Sequence, residues 1–416
     1  MLGQSGIFSG MRLVEFSQWV AGPMMAKMMA DLGAEVIKLE LPPGGDHLRA
    51  SPQSRGGFNA GFISENRGKK SVCLDVKSRE GGEIARQLIA RADVFLENFT
   101  PGVVAKYGLS YEALRPLNPR LIMCSISGYG QQGPYAHKAG NDLVAQAASG
   151  LSNIIGYPDG SPLYPSITLG DCTGGVNAFA AVTAALLHRE RTGLGQYVDI
   201  SLVECLAYYN SLGMVLHGLT NGAAKQTRTG AHSPALAPFG IFKGSGGYVA
   251  ISVLHYQWEI FSNAIGRPEL AADPRFNSVP LRMENHAAVV EVVETWLQSF
   301  PSRDEPLAIL EAAHILSAPV ADTPEVINSP QTRFRGSMQE VNHPGIGPVA
   351  IPKTPFRFSG APVEIPMPAP LLGQHNAAVL STLLGLPKDR IATLTAMGVL
   401  AEDPLVAQLR GKGEID

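Results

Sequence analysis

One aspartate stands at a corner where a carboxylate could react. In Thr168-Leu-Gly-Asp171-Cys-Thr-Gly-Gly175 it lies among small residues, and an unbroken apolar run, Val176–His188, follows. A small-residue turn feeding a helix is the local reading. Two roles compete for Asp171. Aspartate is a favoured helix N-cap because its oxygens accept the unpaired N–H groups of the first turn. A helix N-terminus also collects anions, and a carboxylate there can act as a nucleophile. The local sequence favours the cap and leaves the nucleophile open.

Other chemistry-bearing patterns are weaker. Gly128-Tyr-Gly-Gln-Gln-Gly133 fits the dinucleotide fingerprint, but Pro134 and Tyr135 follow where a helix should open, so a glycine-rich turn is expected. No GxxxxGK[ST], GxSxG or HExxH is present, which removes P-loop, hydrolase-elbow and zincin chemistry. Cys73, Cys124, Cys172 and Cys205 are far apart with no CxxC spacing, so neither a disulfide framework nor a metal site is expected. A reducing cytoplasm is the default compartment. Gly244-Ser-Gly-Gly247 could offer backbone N–H groups to an oxyanion, but it reads first as a hairpin turn. The cations Lys38, Arg49, Arg67, Lys69, Lys70 and Lys106 fall at strand ends or in loops. There they are solvated surface or contacts for a phosphate-rich ligand.

The elements that must position these residues alternate. Strand-like runs at Arg12–Ser17, Glu35–Glu40, Lys70–Asp75, Ala92–Glu97, Leu121–Ile126 and Gly195–Ser201 are interleaved with helical patterns at Ala21–Gly33 and Glu80–Ala90. Such alternation predicts crossover units and a parallel sheet in an α/β fold, with ligands at the carboxyl ends of the strands. A chain of 416 residues exceeds one ordinary core. We expect residues 1–205 to begin a large domain, 206–230 to be a linker, 231–328 to form a smaller α+β domain, and a proline-rich segment, 329–416, to return to the large domain. The net charge of −3 and the absence of a Lys/Arg block argue against nucleic acid. The N-terminus has no signal-peptide pattern, and no apolar run reaches the roughly 18–20 residues that span a bilayer.

Several stretches together resemble the class III CoA-transferases. They are Val20-Ala-Gly-Pro23, Asp31–Glu40, Gly44-Gly-Asp-His-Leu-Arg49, Asn66–Lys77, Ala92–Gly102, Leu169-Gly-Asp171, Arg191–Asp199 and the ending Ala369-Pro-Leu-Leu-Gly-Gln-His375. The resemblance covers essentially the whole chain, with the motifs in order. It implies a Rossmann-like large domain, a small domain, and a homodimer of interlocked chains. It also implies an enzyme that takes coenzyme A thioesters as substrates and holds no tightly bound cofactor or metal.

By the same resemblance, Asp171 is the catalytic carboxylate, and Val20, Leu74, Asn98 and Lys106 fall where family members contact CoA. Arg49 and Lys77 lie in adjacent motifs and could meet its phosphates. Trp19, Asn141, His232, Tyr256 and Trp258 are expected near the acyl group, the tryptophans alternatively as core. Val20 and Leu41 stand where formyl-CoA transferase has a glutamine and an arginine, which disfavours formate and oxalate. Racemases of the same superfamily carry Gly-His-Asp where this chain reads Gly140-Asn141-Asp142, and Asn141 cannot exchange a proton at neutral pH. CoA transfer is therefore expected, with succinyl-CoA or another small dicarboxylyl-CoA as donor by family habit. The alternatives are a racemase-like enzyme and a non-catalytic CoA-binding protein.

Overall fold

The computed structural model describes residues 6–52 and 54–415. The chain forms two compact units. The first holds the residues up to Leu151, Pro165–Met214 and the chain from Gln331 onward; the second holds Ser152–Tyr164 and Val215–Pro330. The 206–230 stretch, expected as a linker, instead carries the end of helix Leu202–Tyr209 and the helix Ser211–Leu219. Ser152–Tyr164, expected in the large domain, belongs to the second unit.

Six strands build the sheet of the first unit: β1 Arg12–Phe16, β2 Glu35–Glu40, β3 Lys69–Cys73, β4 Val94–Glu97, β5 Ile122–Ser127 and β6 Tyr197–Ser201. Their spatial order is β3-β2-β1-β4-β5-β6, and every pair is parallel. The order in which the chain adds strands reverses between β1 and β4, so the crevice beyond their carboxyl ends is the expected ligand position. Six helices matter for that crevice: α1 Ala21–Asp31, α2 Ala60–Asn66, α3 Arg79–Ile89, α4 Asp142–Ala148, α5 Leu169–Thr192 and α6 Leu202–Tyr209.

Successive strand side chains point to opposite faces. Leu13, Val36, Val94, Leu96 and Ile126 pack with α1 and α5, while Val14, Ile37, Phe95 and Met123 pack with α3 and the closing helices Asn376–Leu384 and Lys388–Ala396. Strands β1 to β5 are buried on both faces, as a parallel sheet requires, while the edge strand β6 exposes Tyr197 and Asp199. The return segment also closes the β3 edge: Ser71 and Cys73 donate their N–H groups to His375 Nδ1 (3.2 Å) and Asn376 Oδ1 (2.9 Å). Two antiparallel strands, Met338–His343 and Gly347–Pro352, form a hairpin within the proline-rich return segment. The helix Pro404–Gly411 near the chain end is a further element.

Helix α5 is rich in small residues because it lies against α1. A Cβ on Gly175 would come within 2.7 Å of the Ala21 carbonyl oxygen, so only glycine fits there. The helix ends at Gly193, whose φ of 77° turns the chain and lets its N–H cap Arg189 O at 2.8 Å.

The α1 face also contains buried charge. Glu15 on β1 lies 3.2 Å from Lys38 on β2 and 2.7 Å from Lys69 on β3. Lys38 pairs with Asp46 at 2.9 Å, and Lys69 donates to Pro23 O in the first turn of α1 at 3.0 Å. Burial alone would push the Glu15 carboxyl up, but Lys38 and Lys69 outweigh it and hold it below the ordinary carboxylate range.

The second unit packs the hairpin Phe239–Gly244/Gly247–Ser252, with Leu316–Pro319 beside it, against helices that include Trp258–Ala264 and His286–Gln298. Gly244–Gly247 is the turn of that hairpin. Trp258 is core, its indole N–H on Leu270 O at 3.2 Å, whereas Tyr256 is exposed. Among the described residues, no helix is long and apolar enough to cross a membrane.

Removing the carboxylate that two buried ammonium groups share should be costly. Glu15→Gln is expected to lower unfolding stability by about 3–5 kcal/mol. Urea denaturation measures this, and a loss under about 1 kcal/mol would contradict the role given to the network.

Candidate active site

Asp171 is the third residue of α5, one turn before Gly175. Residues four apart share a helix face, so the Asp171 side chain lies on the face that meets the N-terminus of α1. The cap reading of Asp171 is not what the structure shows. Thr168 is the N-cap residue and supplies no side-chain bond. The carboxylate that caps α5 belongs to Asp142: its Oδ1 accepts the N–H of Gly170 at 2.7 Å and that of Asp171 at 3.3 Å. Gln146 steadies Asp142, donating to its Oδ2 at 2.8 Å from one turn along α4 and to Ile167 O at 3.2 Å.

Among the described residues no hydrogen bond reaches the Asp171 carboxylate. The group is half-buried. Burial, then the neighbouring charges of Asp142 and Glu65, push its pKa up to about 7. Glu65 on α2 is ion-paired with Lys27 of α1 at 2.5 Å. The nucleophile candidate is thus a carboxylate among carboxylates, with the nearby cation held by Glu65. Cys172 stands beside it with its Sγ 3.6 Å from Thr168 Oγ1, and burial raises its thiol pKa.

The crevice at the carboxyl ends of β1 and β4 is tied across by Asn98. Its Oδ1 accepts the Gln18 N–H at 2.8 Å and its Nδ2 donates to Gln18 O at 2.7 Å. Val20 is the N-cap residue of α1 and its carbonyl accepts the Met24 N–H at 2.7 Å. Trp19 has a φ of 65°, in the left-handed region that a bulky residue adopts only under constraint. Val20, Trp19 and Asn98 therefore lie around one pair of strand ends, and α5, one turn after Asp171, packs on Ala21 and Met24 of the adjoining helix.

The remaining expected site residues are placed differently. Lys106 is exposed in the turn Val104–Tyr107 after β4, and Lys77 is exposed just past β3. The Leu74 side chain is core, leaving its backbone at the strand end. The Arg49 guanidinium is held by both Glu40 oxygens at 2.8 Å, donates to Pro370 O at 3.1 Å, and lies over the Phe62 ring. Burial would raise the Glu40 pKa, but Arg49 draws it down to about 2. Three of its five N–H donors are so used, and Arg49 is held as an ion pair with Glu40 in this chain. Asn141 is exposed and caps α4, accepting the Val144 N–H at 3.1 Å. His232 lies in the second unit, against the rings of Phe242 and His286.

Sequence reading missed Asp142, Glu65, Lys27 and Gln18. Asp142 acts across 29 positions, a distance at which no local pattern signals a cap. No group of three or more His, Cys, Asp or Glu side chains among the described residues could hold a metal ion.

Residues 8–376 match the family model described as CoA-transferase family III. The succinyl-CoA:glutarate CoA-transferase of Mus musculus is 33% identical over 395 residues, 94% of this chain and 90% of that protein. The succinate–glutarate CoA-transferase of Agrobacterium fabrum is 35% identical over 387 residues, 90% of this chain and 95% of that one. The crystal structure of a CAIB/BAIF family protein from Brucella suis superposes with a TM-score of 0.83 at 34% identity, covering 91% of this chain and all of that one. The parallel sheet, the carboxylate at the crevice and these matches agree, and the chain belongs to CoA-transferase family III as a CoA-transferase.

Proposed function

We propose that the protein moves CoA between carboxylic acids through covalent intermediates on Asp171, with a small dicarboxylyl-CoA such as succinyl-CoA as donor. The observation that carries this reading is the unbonded, half-buried Asp171 carboxylate beside a helix N-terminus that Asp142 already caps. A pKa near 7 leaves much of it ionised at neutral pH and makes it a stronger base than an ordinary carboxylate.

The sequence of bond changes balances without any other reactant. The Asp171 carboxylate attacks the thioester carbonyl, forming an acyl-aspartyl anhydride and releasing CoA thiolate. The thiolate attacks the aspartyl carbonyl, giving an aspartyl-CoA thioester and the free donor acid. The acceptor carboxylate then attacks that thioester, forming a second anhydride and thiolate. The thiolate takes the acceptor acyl group and restores the Asp171 carboxylate. Splitting the exchange in this way replaces one hard displacement by easier ones.

CoA is placed by this reading along the strand ends, with Val20, Asn98 and the backbone at Leu74 lining it and with Lys77 and Lys106, both exposed, available to its phosphates. The dicarboxylic donor is supported by the relatives' own names, which specify succinate and glutarate. A homodimer is part of the same reading. Tyr208, Tyr209, Leu212 and Met214 at and after the end of α6 are all more than half exposed, an apolar run that a second copy of the chain would cover. Sedimentation equilibrium should give twice the chain mass, and a monomer at micromolar concentration would refute the pairing.

Function is tested in one reaction in D2O with a panel of acyl-CoA thioesters and free acids, read by mass spectrometry. New thioester masses should appear with the wild-type protein and fall by at least about a thousandfold in Asp171→Ala. Unchanged thioesters that gain a single deuterium would show α-proton chemistry and overturn the proposal.

A further inference from the structure

Trp19 presents an anomaly that the transfer chemistry does not explain. Its left-handed backbone is held from several sides. Its N–H donates to Asp46 Oδ1 at 3.0 Å, and Asp46 is buried against Lys38. Lys38 also donates to Ser17 O at 2.9 Å, and Asn98 grips both backbone groups of Gln18. The three residues before Val20 are thus fixed one by one by buried or half-buried polar groups. Strain maintained at this expense clusters at binding sites.

The same Asp46 oxygen accepts the Leu48 N–H at 3.0 Å, capping the turn His47–Ala50. One carboxylate therefore sets the Trp19 backbone and the turn that carries His47. The two rings lie nearly parallel, with centroids 6.0 Å apart and planes 7° apart. Trp19 is 49% exposed and His47 is exposed too. A pre-oriented pair of rings, each with an N–H donor, stands open at the crevice.

The neighbouring charges say what such a pair would receive. Around Asp171 stand Asp142 and Glu65, both acidic, with Lys27 taken by Glu65. On the same sheet face Lys38, Lys69 and Arg49 are paired with Asp46, Glu15 and Glu40. A second carboxylate on the substrate would be repelled from the Asp171 side and finds those cations occupied. The exposed Trp19 and His47 rings carry N–H groups that can donate to it.

We propose that the Trp19–His47 pair selects the acid substrate, binding the second carboxylate of a short dicarboxylic acid while the first reacts at Asp171. The inference rests on the reading of Asp171 as the reacting group and adds to it the element that distinguishes dicarboxylic from monocarboxylic substrates.

The test measures kcat/KM for glutarate and succinate against butyrate and acetate as CoA acceptors, in the wild type, His47→Ala, His47→Gln and Trp19→Phe. The dicarboxylate-to-monocarboxylate ratio should fall about tenfold or more in His47→Ala, the scale of one lost hydrogen bond to a charged group. His47→Gln, which keeps a donor, should recover part of the ratio. Trp19→Phe keeps the stacked ring without its N–H and should lower the ratio through KM. An equal fall for both classes of acid, as a purely structural pair or a CoA contact would give, overturns the proposal. So does an unchanged ratio in His47→Ala and Trp19→Phe. A wild type that transfers CoA to no acid would instead sink the reading of Asp171 itself.

Discussion

The Asp142 carboxylate on the first turn of α5 is the contact on which the reactive site depends. A helix begins with N–H groups that have no partner within the helix. An aspartate in the first turn is ordinarily drawn to them, and its charge is stabilised by the bonds and the helix dipole. Here the Gly170 and Asp171 N–H groups are already bonded to Asp142. The Asp171 carboxylate is left without hydrogen bonds among the described residues, and burial first, then the charge of Asp142, raises its pKa. That contact therefore frees the carboxylate and adds to the basicity that burial gives it, the two properties the proposed nucleophile needs. Gln146 holds that contact in place by tying Asp142 to the segment just before the helix.

Around this point the scaffold is held by charge as well as by apolar packing. Glu15 between Lys38 and Lys69, Asp46 on Lys38 and Glu40 on Arg49 form a chain of buried ion pairs beneath the crevice. Buried ion pairs are weak evidence for stability because desolvation offsets much of their attraction. Their geometric effect is plain: they reach Ser17 O, the Trp19 N–H and Pro23 O, which fixes the loop from β1 into α1. A loop so restrained can keep Trp19 at a φ of 65°. Gly175 brings α5 against the first turn of α1, which that loop leads into, so one helix contact joins the restrained backbone to the helix that carries Asp171.

Much of the large unit was legible in the sequence because its signals are local. The alternation of strand-like runs with helical segments located β1 to β6 and predicted the parallel sheet, and the small-residue turn Thr168–Gly175 was read as feeding a helix. The crevice residues Val20 and Asn98 were reached through the family motifs. The capping role of Asp142 was not legible, since it acts on a helix 29 positions away through a bond that depends on the packed fold. Arg49 looked like a phosphate contact because an arginine after a Gly-Gly-Asp turn gives no sign that Glu40 will hold it. The 206–230 stretch looked like a linker from its glycines and polar tail, but its first half is apolar enough to form helix. His232 was expected in the smaller domain from its position in the chain, and the fold sets it in the second unit.

The most direct test of this account is the pH dependence of kcat/KM for Asp142→Asn, which keeps an oxygen for the α5 N–H groups but removes the charge. An ionised Asp171 is required for attack, so wild-type activity should rise with pH through an acid limb near 7. Asp142 raises that pKa, so its neutralisation should move the limb to lower pH while Asp171 remains essential. A limb that stays where it is, or moves to higher pH, would contradict the claim that the Asp142 charge adds to the basicity of Asp171.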